Sequence, residues 1–513
     1  MKYNNSNYHN LVYVNRKIYY IPHQLPTMAY QFIDRDKEMS FLKEKYSSGS
    51  AEMIIIYGRR RVGKTELIKQ SLSKSPLKSL YLLGELQKEN QLSSIYSNIA
   101  GLSLEDDFLK NSPLSTWQAF FDYLTRYIDK NGMVLVFDEL PYIHKTNPNF
   151  ISILQFFWDE KWKNMNLKLI LCGSSISMMQ KIALSYSSPI YGRRTGQIDL
   201  QPLKYLDFRI LFNEWEEEGI MGAYAVLGGI PRYAEEFDKK KNLYENIGKA
   251  FLDKDAVLYK EAKFLLMEEL QDFANYFSIL KAIAIGKNTF NEISNFSGVA
   301  SNKLFVYISK LIELNIVRRD IPVTLSKEKS TRVGNYVLKD YFFRFWFRYI
   351  YPNSSLIEIG KPEIVLDIIK KDFDKYLDTI FEDISTELLR NLSLNGKLPL
   401  FTKWGKWWRM DYEIDIVATN EATGDILFCE CKWEDTETDR AVLEEMLEKS
   451  AKVEWGDEKR NNHYAVVSRK GFTEEAKGFA DKNKIQTYDF KELSRKAIQS
   501  QKNNHKLNNP PAN

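Results

Sequence analysis

The chain has 513 residues, more than one hydrophobic core organises, so length alone predicts several domains. Hydrophobic residues make up 44% and charged residues 27%, as in a soluble globular protein, and the excess of 72 Lys and Arg over 68 Asp and Glu is too small to argue for nucleic-acid binding. No apolar run approaches the roughly 18 residues of a membrane-spanning helix, which predicts no membrane partner. The three cysteines, Cys172, Cys429 and Cys431, lie in apolar runs, so we expect a cytoplasmic protein without disulfides.

Both ends of the chain differ from its interior. Residues 1–30 lack the apolar block of a signal peptide and precede a second methionine, Met28. We interpret them as an appendage, or as the result of a start codon set too far upstream. Residues 499–513 are polar and contain two prolines, which predicts a disordered tail.

The first motif is a glycine-rich loop between a strand and a helix. The apolar run 51–57 predicts the strand, and the run 65–74 has apolar residues at helical spacing. Glycines in such a loop let backbone N–H groups point at phosphate oxygens, and the helix adds the positive end of its dipole. We expect Lys64 to reach the outer phosphates of ATP and Thr65 to ligate Mg²⁺. The predicted nucleotide-binding residues are Gly58, Arg59, Arg60, Arg61, Val62, Gly63, Lys64, Thr65 and Glu66.

A second predicted strand ends in two acids. The run 133–137 is continuously apolar, as in a parallel strand buried on both faces, and Asp138 and Glu139 follow it. A P-loop NTPase needs such acids for two different tasks. We expect Asp138 to hold the Mg²⁺ shell together with Thr65, and Glu139 to polarise the water that attacks the γ-phosphate.

A third predicted strand runs from Leu167 to Ser175 and ends in small polar residues. Open α/β sheets place their ligands at the carboxyl edge of the strands. Ser174 or Ser175 is therefore a candidate contact for the γ-phosphate or the attacking water. The alternative is a serine that caps the following helix.

Three arginines are candidates for stabilising charge on the transferred phosphate. Arg193 and Arg194 follow a Ser-Pro loop, and Arg232 follows a Gly-Gly-Ile-Pro turn. Arginine delivers positive charge in a rigid planar fork, within one subunit or across to a neighbour in an oligomer. The same residues can equally be ion-paired or exposed.

These motifs occur in the order of a known family. FIDRDKEMSFL, GRRRVGKT, VLVFDELPY, LILCGSS, the Gly-Arg-Arg segment and GGIPRY together resemble the archaeal-type ATPase family, a branch of the P-loop NTPases related to AAA+ and STAND proteins. The resemblance covers residues 31 to about 235. It implies an ATP-binding sheet followed by a helical lid, with Arg232 near the nucleotide and with Asp34 and Arg35 near the adenine.

Beyond the predicted lid, apolar spacing predicts helices over 275–285, 289–296 and 301–314, followed by two strand-like segments, NIVRRDIP and GNYVLKDYFFRFWF. This is the pattern of a winged helix-turn-helix. Its role is either to contact DNA or to form a protein–protein or interdomain contact. The candidate phosphate contacts are Ser301, Asn302, Lys303, Lys310, Lys327, Lys329 and Arg332. The aromatic run 338–352 is interpreted as packing rather than as a stacking platform for nucleic acid.

The last part of the chain carries a second group of acids. KWGKWWRMDYEIDIVATN and DILFCECKWED predict two strands of a hairpin. Residues two apart share a strand face, so Glu430 and Lys432 point together and Asp415 can face them. Two carboxylates can hold a divalent cation, while a lysine stabilises developing phosphorane charge. Tryptophans and an arginine at the start of the first of these segments can stack on nucleic acid or brace the core: Trp404, Trp407, Trp408 and Arg409.

An Asp followed fifteen residues later by Glu-x-Lys resembles the PD-(D/E)xK restriction-endonuclease-like fold. The resemblance implies a metal bound by Asp415 and Glu430, with Glu382 as a further acid from a helix and Lys432 as the catalytic lysine. Ile414 stands where the name of the motif has proline. A retained fold without catalysis is the alternative.

The predicted fold class is α/β: a P-loop NTPase parallel sheet with a helical lid, a winged helix-turn-helix, and an α/β restriction-endonuclease-like domain. The predicted boundaries are 1–30 for the appendage, 31–205 for the ATPase core, 206–270 for the lid, 271–350 for the winged helix, 351–371 for a linker, 372–498 for the nuclease-like domain and 499–513 for the tail.

Three hypotheses follow for function. The first is an ATPase that couples hydrolysis to rearrangement of nucleic-acid-associated domains. The second is an ATP-licensed, metal-dependent DNase. The third is a nucleotide-controlled switch, in which ATP sets the state of a homo-oligomer and hydrolysis is slow.

Overall fold

The computed structural model describes residues 11–14, 17–20, 33, 35–85, 89–325, 333–456 and 460–508. Asp34, most of the predicted appendage, and the predicted wing residues Lys327, Lys329 and Arg332 lie outside the described residues. In the part that is described, no helix is both long and apolar enough to cross a membrane.

The chain forms two compact units. The first comprises Met1–Leu203 and Ile230–Arg232, and we call it the nucleotide unit after the loop predicted to bind a nucleotide. The second, the C-terminal unit, comprises Lys204–Gly229 and Tyr233–Asn513.

The nucleotide unit is built on a sheet of five parallel strands in the order β4-β5-β6-β3-β7. Its central strands are hydrophobic and buried, as a parallel sheet covered by helices on both faces requires. A short antiparallel hairpin, β1–β2, precedes the sheet in the chain. The strands are β1 Leu11–Val14, β2 Lys17–Tyr20, β3 Glu52–Tyr57, β4 Ser79–Leu83, β5 Met133–Asp138, β6 Leu167–Gly173 and β7 Gly196–Asp199.

The helices of this unit present apolar faces to the sheet. Trp117 and Phe150, for example, meet edge to face with ring centroids 4.6 Å apart, and both are fully buried. The helices are α1 Asp36–Ser47, α2 Lys64–Leu72, α3 Glu89–Ser103, α4 Asp107–Asn111, α5 Trp117–Asn131, α6 Leu140–Thr146, α7 Phe150–Glu160 and α8 Ile176–Met179.

The C-terminal unit begins with helices from the segment predicted as a lid. Part of that segment is bonded to later residues of the same unit, because Arg469 Nη2 donates to Glu218 Oε2 at 2.8 Å and the Tyr205 N–H donates to Glu387 at 3.2 Å. The helices are α9 Tyr205–Phe208, α10 Glu217–Leu227, α11 Pro231–Ala234, α12 Leu243–Phe251 and α13 Val257–Glu269. The first two residues of α11 belong to the nucleotide unit.

Three helices and a two-stranded antiparallel ribbon follow in the predicted order. They are α14 Phe273–Ala284, α15 Phe290–Ser297, α16 Ser301–Glu313, β8 Val317–Asp320 and β9 Asn335–Leu338. The second strand is shorter than predicted, because the chain turns into helix α17, Tyr341–Phe345, and a π-helical turn, Trp346–Ile350. The aromatic rings of this stretch are buried except for the half-buried Tyr341, which agrees with packing and not with a stacking platform.

The predicted linker 351–371 is helical in the structure. It contains α18, Ser354–Glu358, and the first turns of α19, Pro362–Leu394, whose Val365 and Ile369 are fully buried. Most residues of these helices are polar and exposed, and only a narrow apolar stripe packs against the rest of the unit. The sequence of the segment therefore resembles a linker.

The rest of the unit is a mixed sheet in the order β10-β11-β12-β13-β14, antiparallel at its first two pairs and parallel at its last two. The predicted tail is also helical as far as Asn508, because Leu493 and Ala497 anchor its helix in the core. The elements are β10 Lys403–Arg409, β11 Tyr412–Asn420, β12 Asp425–Lys432, α20 Arg440–Ala451, β13 Asn461–Ser468, α21 Glu474–Asn483, β14 Ile485–Asp489 and α22 Phe490–Asn508. All three cysteines are free and buried on strands, as predicted.

Candidate functional site

The glycine-rich loop has the backbone that its sequence predicts. Gly63, directly before α2, has a φ of 98°, and Arg61 also lies in the left-handed region with a φ of 68°. Gly58 has a φ of 147°, and a Cβ there would lie 2.3 Å from the carbonyl oxygen of Leu200. Glycine is therefore required at the start of the loop on both conformational and steric grounds. Val62 is buried beneath the loop.

Lys64 and Thr65, the first residues of α2, carry the polar groups of the loop. Lys64 is buried, and its Nζ donates to the carbonyl oxygens of Gly58 and Arg59, both at 2.9 Å. Thr65 Oγ1 donates to Asp138 Oδ2 at 2.8 Å. Two motifs separated by 73 residues in the chain thus meet at one hydrogen bond.

The carboxylate of Asp138, at the end of β5, is buried and held from several sides. The N–H of Glu139 donates to Asp138 Oδ1 at 2.9 Å, and the phenol of Tyr81 on β4 donates to Oδ2. Burial first, and then the Asp138 carboxylate, raise the pKa of Tyr81 well above its ordinary value, so the phenol stays a donor. Sequence reasoning missed Tyr81, because only the sheet order reveals that β4 borders β5.

Glu139 and Ser174 lie beside this group on adjacent strand ends. Ser174 Oγ lies 2.8 Å from each carboxylate oxygen of Glu139, and the Ser174 N–H donates to Oε2 at 3.3 Å. Burial and the neighbouring Asp138 raise the pKa of Glu139. Ser175 caps α8 by accepting a hydrogen bond from the Met178 N–H at 3.3 Å. The two serines therefore have different contacts.

The arginines of the loop and its surroundings differ in their environments. Arg35 reaches across to the loop, where it donates to the carbonyl oxygens of Gln201 at 2.8 Å and Val62 at 3.3 Å. Arg59, Arg60 and Arg61 are half-buried. Glu66 accepts a hydrogen bond from Gln70 one turn along α2, at 2.8 Å.

The three arginines that are candidates for stabilising charge on the transferred phosphate also differ in their contacts. Arg193 forms a two-point ion pair with Asp159 on α7, with Nε and Nη2 at 2.8 and 2.7 Å from its oxygens. Arg194 lies over the ring of Tyr191 at 5.5 Å. Arg232 is exposed and belongs to the short segment Ile230–Arg232 that groups with the nucleotide unit. Arg193 thus has a structural partner within its own unit.

The second candidate group lies in the C-terminal unit, at the junction of β11 and β12. Ile416 pairs with Cys429, so Asp415 stands one step further along, next to Glu430. Asp415 Oδ2 accepts a hydrogen bond from the Cys431 N–H at 2.8 Å. Lys432 lies two residues beyond Glu430 on the same face of the strand.

Helix α19 adds two acids to this group. Burial raises the pKa of Asp378 and of Glu382, and the charge of Asp415 raises both further. Burial and the same Asp415 charge also raise the pKa of Glu430 to about 8. Three carboxylates, those of Asp378, Glu382 and Glu430, therefore lie near Asp415. Glu382 was predicted, whereas Asp378, four residues before it on the helix, was missed.

Lysines are interleaved with these acids. Lys449 Nζ lies 3.1 Å from Glu430 Oε1, and Lys406 contacts Glu382. Burial works against the charged ammonium of Lys406, yet the carboxylates of Glu382 and Glu413 raise its pKa. Within the described ranges, no three His, Cys, Asp or Glu side chains are gathered in the arrangement that holds a metal ion. The acids are close together, but two of them are paired with lysines.

The third helix of the predicted winged module is not strongly basic. Ser301, Asn302 and Lys303 are exposed as predicted, whereas Lys310 is paired with Glu313 at 2.8 Å. Phe305 and Val306 are the most exposed apolar side chains of this helix, at 65% and 63%. Of the tryptophans, Trp407 is buried in the core, Trp404 and Trp408 are half-buried, and Arg409 pairs with Glu454 at 2.6 Å.

Comparisons with known proteins bear on the domain that contains the first of these two sites. Residues 32–237 match a family described as an ATPase domain predominantly from Archaea, and residues 346–443 match a family described as archaea bacterial proteins of unknown function. An uncharacterized protein of Methanocaldococcus jannaschii is 36% identical over 446 residues, which cover 86% of this chain and 96% of the relative. An uncharacterized ATP-binding protein of the same organism is 49% identical over 47 residues, 9% of this chain and 80% of that protein.

Among solved structures, the ORC2 protein of Aeropyrum pernix matches with 14% identity and a TM-score of 0.38, over 69% of this chain and 97% of that one. The chain belongs to the same family as the Methanocaldococcus jannaschii protein, and its residues 32–237 are an ATPase domain of the type found predominantly in Archaea.

Proposed function

We propose that the protein is a Mg²⁺-dependent ATPase whose nucleotide is held by the loop from Gly58 to Thr65. The observation that carries the proposal is the hydrogen bond from Thr65 Oγ1 to Asp138 Oδ2. It joins a hydroxyl and a carboxylate, oxygen ligands of the kind that Mg²⁺ prefers, beside a loop that presents backbone N–H groups. A bound Mg²⁺ supplies charge neutralisation for the β- and γ-phosphates.

The side chains around this point have distinct tasks in the proposal. Lys64 now bonds to two loop carbonyl oxygens, and it exchanges them for phosphate oxygens when the nucleotide enters. Glu139 orients the attacking water, and Ser174 holds its carboxylate until then. The raised pKa of Glu139 suits a group that must attract a proton from water.

The test is phosphate release from ATP by the full chain. We expect Lys64→Ala to abolish both binding and hydrolysis, and Glu139→Gln to bind ATP but to hydrolyse it at least about a hundredfold more slowly. Lys74→Ala removes an exposed lysine just after the same helix and is the matched control. Wild-type rates in the Lys64 and Glu139 variants would refute the site.

The same measurements separate hydrolysis from switching. Tight ATP binding with slow release of phosphate, together with a change of oligomeric mass between ADP and a non-hydrolysable ATP analogue, would make the protein a nucleotide-controlled switch. Rapid turnover with constant mass would favour coupling of hydrolysis to the C-terminal unit.

A second candidate function is metal-dependent cleavage of nucleic acid by the C-terminal unit. The observation that favours it is the convergence of Asp378, Glu382 and Glu430 on Asp415, with Lys432 on the same strand as Glu430. For a divalent cation to bind there, the carboxylates must leave Lys406 and Lys449. We therefore expect little cleavage of DNA in the absence of a divalent cation and more when Mn²⁺ or Mg²⁺ and ATP are present.

Incubation of plasmid and single-stranded DNA with metal and ATP tests this activity. Asp415→Ala should remove it, while Asp411→Ala, an exposed acid in the turn before the same strand, should not. Cleavage that persists in Asp415→Ala would point to a contaminating nuclease and would end this proposal.

A further inference from the structure

Arg35 has no local reason to stand where it does. It directly precedes α1, yet its side chain makes no capping bond to that helix, and its φ of 104° lies in the left-handed region. The residues that cap helices well are Ser, Thr, Asp and Asn, and a left-handed arginine costs free energy. Contacts elsewhere in the nucleotide unit therefore have to hold this residue in place.

The side chain of Arg35 is buried beside the glycine-rich loop. Only 7% of the residue is exposed, although a guanidinium is always charged. Its Nη2 donates to the carbonyl oxygens of Gln201 at 2.8 Å and of Val62 at 3.3 Å, and its Nη1 lies 3.8 Å from a carboxylate oxygen of Glu38 on α1. A buried charged group is stable only when its hydrogen bonds are made, so the two carbonyl oxygens contribute to its stabilisation.

These two carbonyl oxygens belong to segments that meet at the loop. Gln201 comes shortly after β7, and Val62 lies within the loop. The chain after β7 also contacts the start of the loop, because a Cβ on Gly58 would lie 2.3 Å from the Leu200 carbonyl oxygen. Arg35 thus ties the second half of the loop to the same segment that contacts its first residue.

The bond to the Val62 carbonyl oxygen fixes the direction of the next N–H group. A peptide unit is planar and trans, so its C=O and N–H point in opposite directions. Because the Val62 carbonyl oxygen faces Arg35, the N–H of Gly63 points away from Arg35. A Cβ on Gly63 would meet nothing within 4 Å, so there is open space beside this residue. Gly63 also directly precedes α2, where the positive end of the helix dipole favours an anion.

We propose that Arg35 is a positioning residue of the nucleotide site and that it acts on the phosphates through the loop, not on the adenine. By bonding to the Val62 carbonyl oxygen, it keeps the Gly63 N–H oriented for a phosphate oxygen before the nucleotide binds. A donor that is already oriented binds an anion more tightly, because binding no longer has to order it. The inference rests on the proposed nucleotide site, and it replaces the expectation that Arg35 lies near the adenine.

This role determines which ligands depend on Arg35. The Gly63 N–H bonds to a phosphate and takes no part in recognising a base, so inorganic triphosphate and ATP should depend on Arg35 equally. A contact with the adenine would make ATP alone depend on it. We expect the N–H to bond the phosphate equally before and during transfer, so its misorientation should weaken binding and leave kcat nearly unchanged.

Calorimetric titration of the full chain with Mg²⁺-ATP and with Mg²⁺ and inorganic triphosphate measures both affinities. We expect Arg35→Gln to raise the two Kd values by the same factor, at least about fivefold, because a hydrogen bond to a charged group is strong only when it is aligned. Arg35→Lys keeps the charge but not the planar fork that reaches two carbonyl oxygens, so it should raise both by a smaller factor. Lys43→Gln removes an exposed lysine from the same helix and should change neither value.

A purely structural role of Arg35 gives a different result. Loss of its buried contacts would then lower the melting temperature and the number of binding sites per chain, and the Kd of the folded protein would not change. Both quantities are measured for each variant, and Arg35→Lys serves for the whole comparison if Arg35→Gln does not fold. With ATP, KM for phosphate release should rise in the variant while kcat stays within about threefold of wild type.

Several results would overturn the inference. If Arg35→Gln raises the Kd of ATP but not that of inorganic triphosphate, Arg35 acts on the adenine. If neither Kd changes while wild type binds both ligands, the nucleotide site stands and Arg35 has no part in it. If wild type binds ATP but not inorganic triphosphate, the loop is not preorganised for phosphate. If wild type binds neither ligand, the proposed nucleotide site is itself wrong, and the role of Arg35 falls with it.

Discussion

The phenol of Tyr81 donates a hydrogen bond to Asp138 Oδ2, the same oxygen that accepts from Thr65. The carboxylate is thus held by one side chain from the loop and one from the neighbouring strand. Tyr81 acts on the proposed Mg²⁺ site through Asp138 and is a positioning residue.

Tyr81→Phe removes only this donor. We expect the Mg²⁺ concentration that half-saturates phosphate release to rise several-fold, because a hydrogen bond to a charged group is worth about 1.5–3 kcal/mol and the remaining donors hold part of the orientation. The rate at saturating Mg²⁺ should change by less than about twofold. Tyr96→Phe is the matched control, since the Tyr96 phenol donates to the Leu83 carbonyl oxygen at 2.6 Å at the end of the same strand. If Tyr81→Phe needs the same Mg²⁺ concentration for half-saturation as wild type, the phenol does not position Asp138 for Mg²⁺.

Arg193→Gln should lower stability and leave catalysis intact. The two-point contact with Asp159 is partly exposed, so its loss should cost about 1 kcal/mol. Hydrogen bonding to Arg193 lowers the pKa of Asp159, so the stabilisation is present above the ordinary Asp value and is lost as the pH falls below it. Thermal unfolding of the single and double variants with Asp159→Asn, at neutral pH and below about pH 3.5, measures the interaction in both regimes. A large fall in kcat would instead make Arg193 a catalytic arginine.

Arg232→Gln should behave in the opposite way. This arginine is exposed and groups with the nucleotide unit, so its removal should leave the melting temperature within about one degree. We expect kcat for ATP to fall at least about tenfold if the guanidinium reaches the γ-phosphate. Steady-state kinetics of Arg232→Gln and Arg193→Gln in parallel assign the role, and identical kcat values for Arg232→Gln and wild type would exclude Arg232.

Asp383→Asn should loosen the junction between β8 and α19. Asp383 accepts from both terminal nitrogens of Arg318, at 2.7 and 3.2 Å, and from the Tyr341 phenol at 2.9 Å. Burial opposes the charge, but Arg318 lowers the pKa of Asp383, so its contribution is present at neutral pH and disappears only in acid. Breaking the pair should cost about 1–3 kcal/mol, because Asp320 still partners Arg318 at 2.9 Å.

Hydrogen exchange localises this effect. Amides of β8 and of the middle of α19 should exchange faster in Asp383→Asn, while those of β3 to β7 should not change. Asp367→Asn, an exposed acid near the start of α19, is the control. If these amides exchange at the same rates in wild type and in Asp383→Asn, the pair of Arg318 and Asp383 contributes nothing to the junction.

Local patterns in the sequence predicted the residues of the proposed nucleotide site. The spacing of Gly58, Gly63, Lys64 and Thr65, and the buried strand that ends in Asp138, are properties of short continuous segments, and strand and helix periodicity fix where their side chains point. The same holds for the Glu430–Lys432 alternation. These features could be predicted because they depend on neighbours within a few residues.

Tertiary structure decided what depends on contacts between distant segments. The sheet order places Tyr81 beside Asp138, the packing of α7 gives Arg193 its partner Asp159, and the position of α19 brings Asp378 to Asp415 and Thr379 to Arg344. In α19 and α22 the apolar residues that are buried stand among many charged residues. The sequence alone therefore predicted a linker and a tail in place of the start of α19 and the end of α22. An ion pair or hydrogen bond between remote residues leaves no periodic trace in a single sequence, because its geometry exists only after the chain has folded.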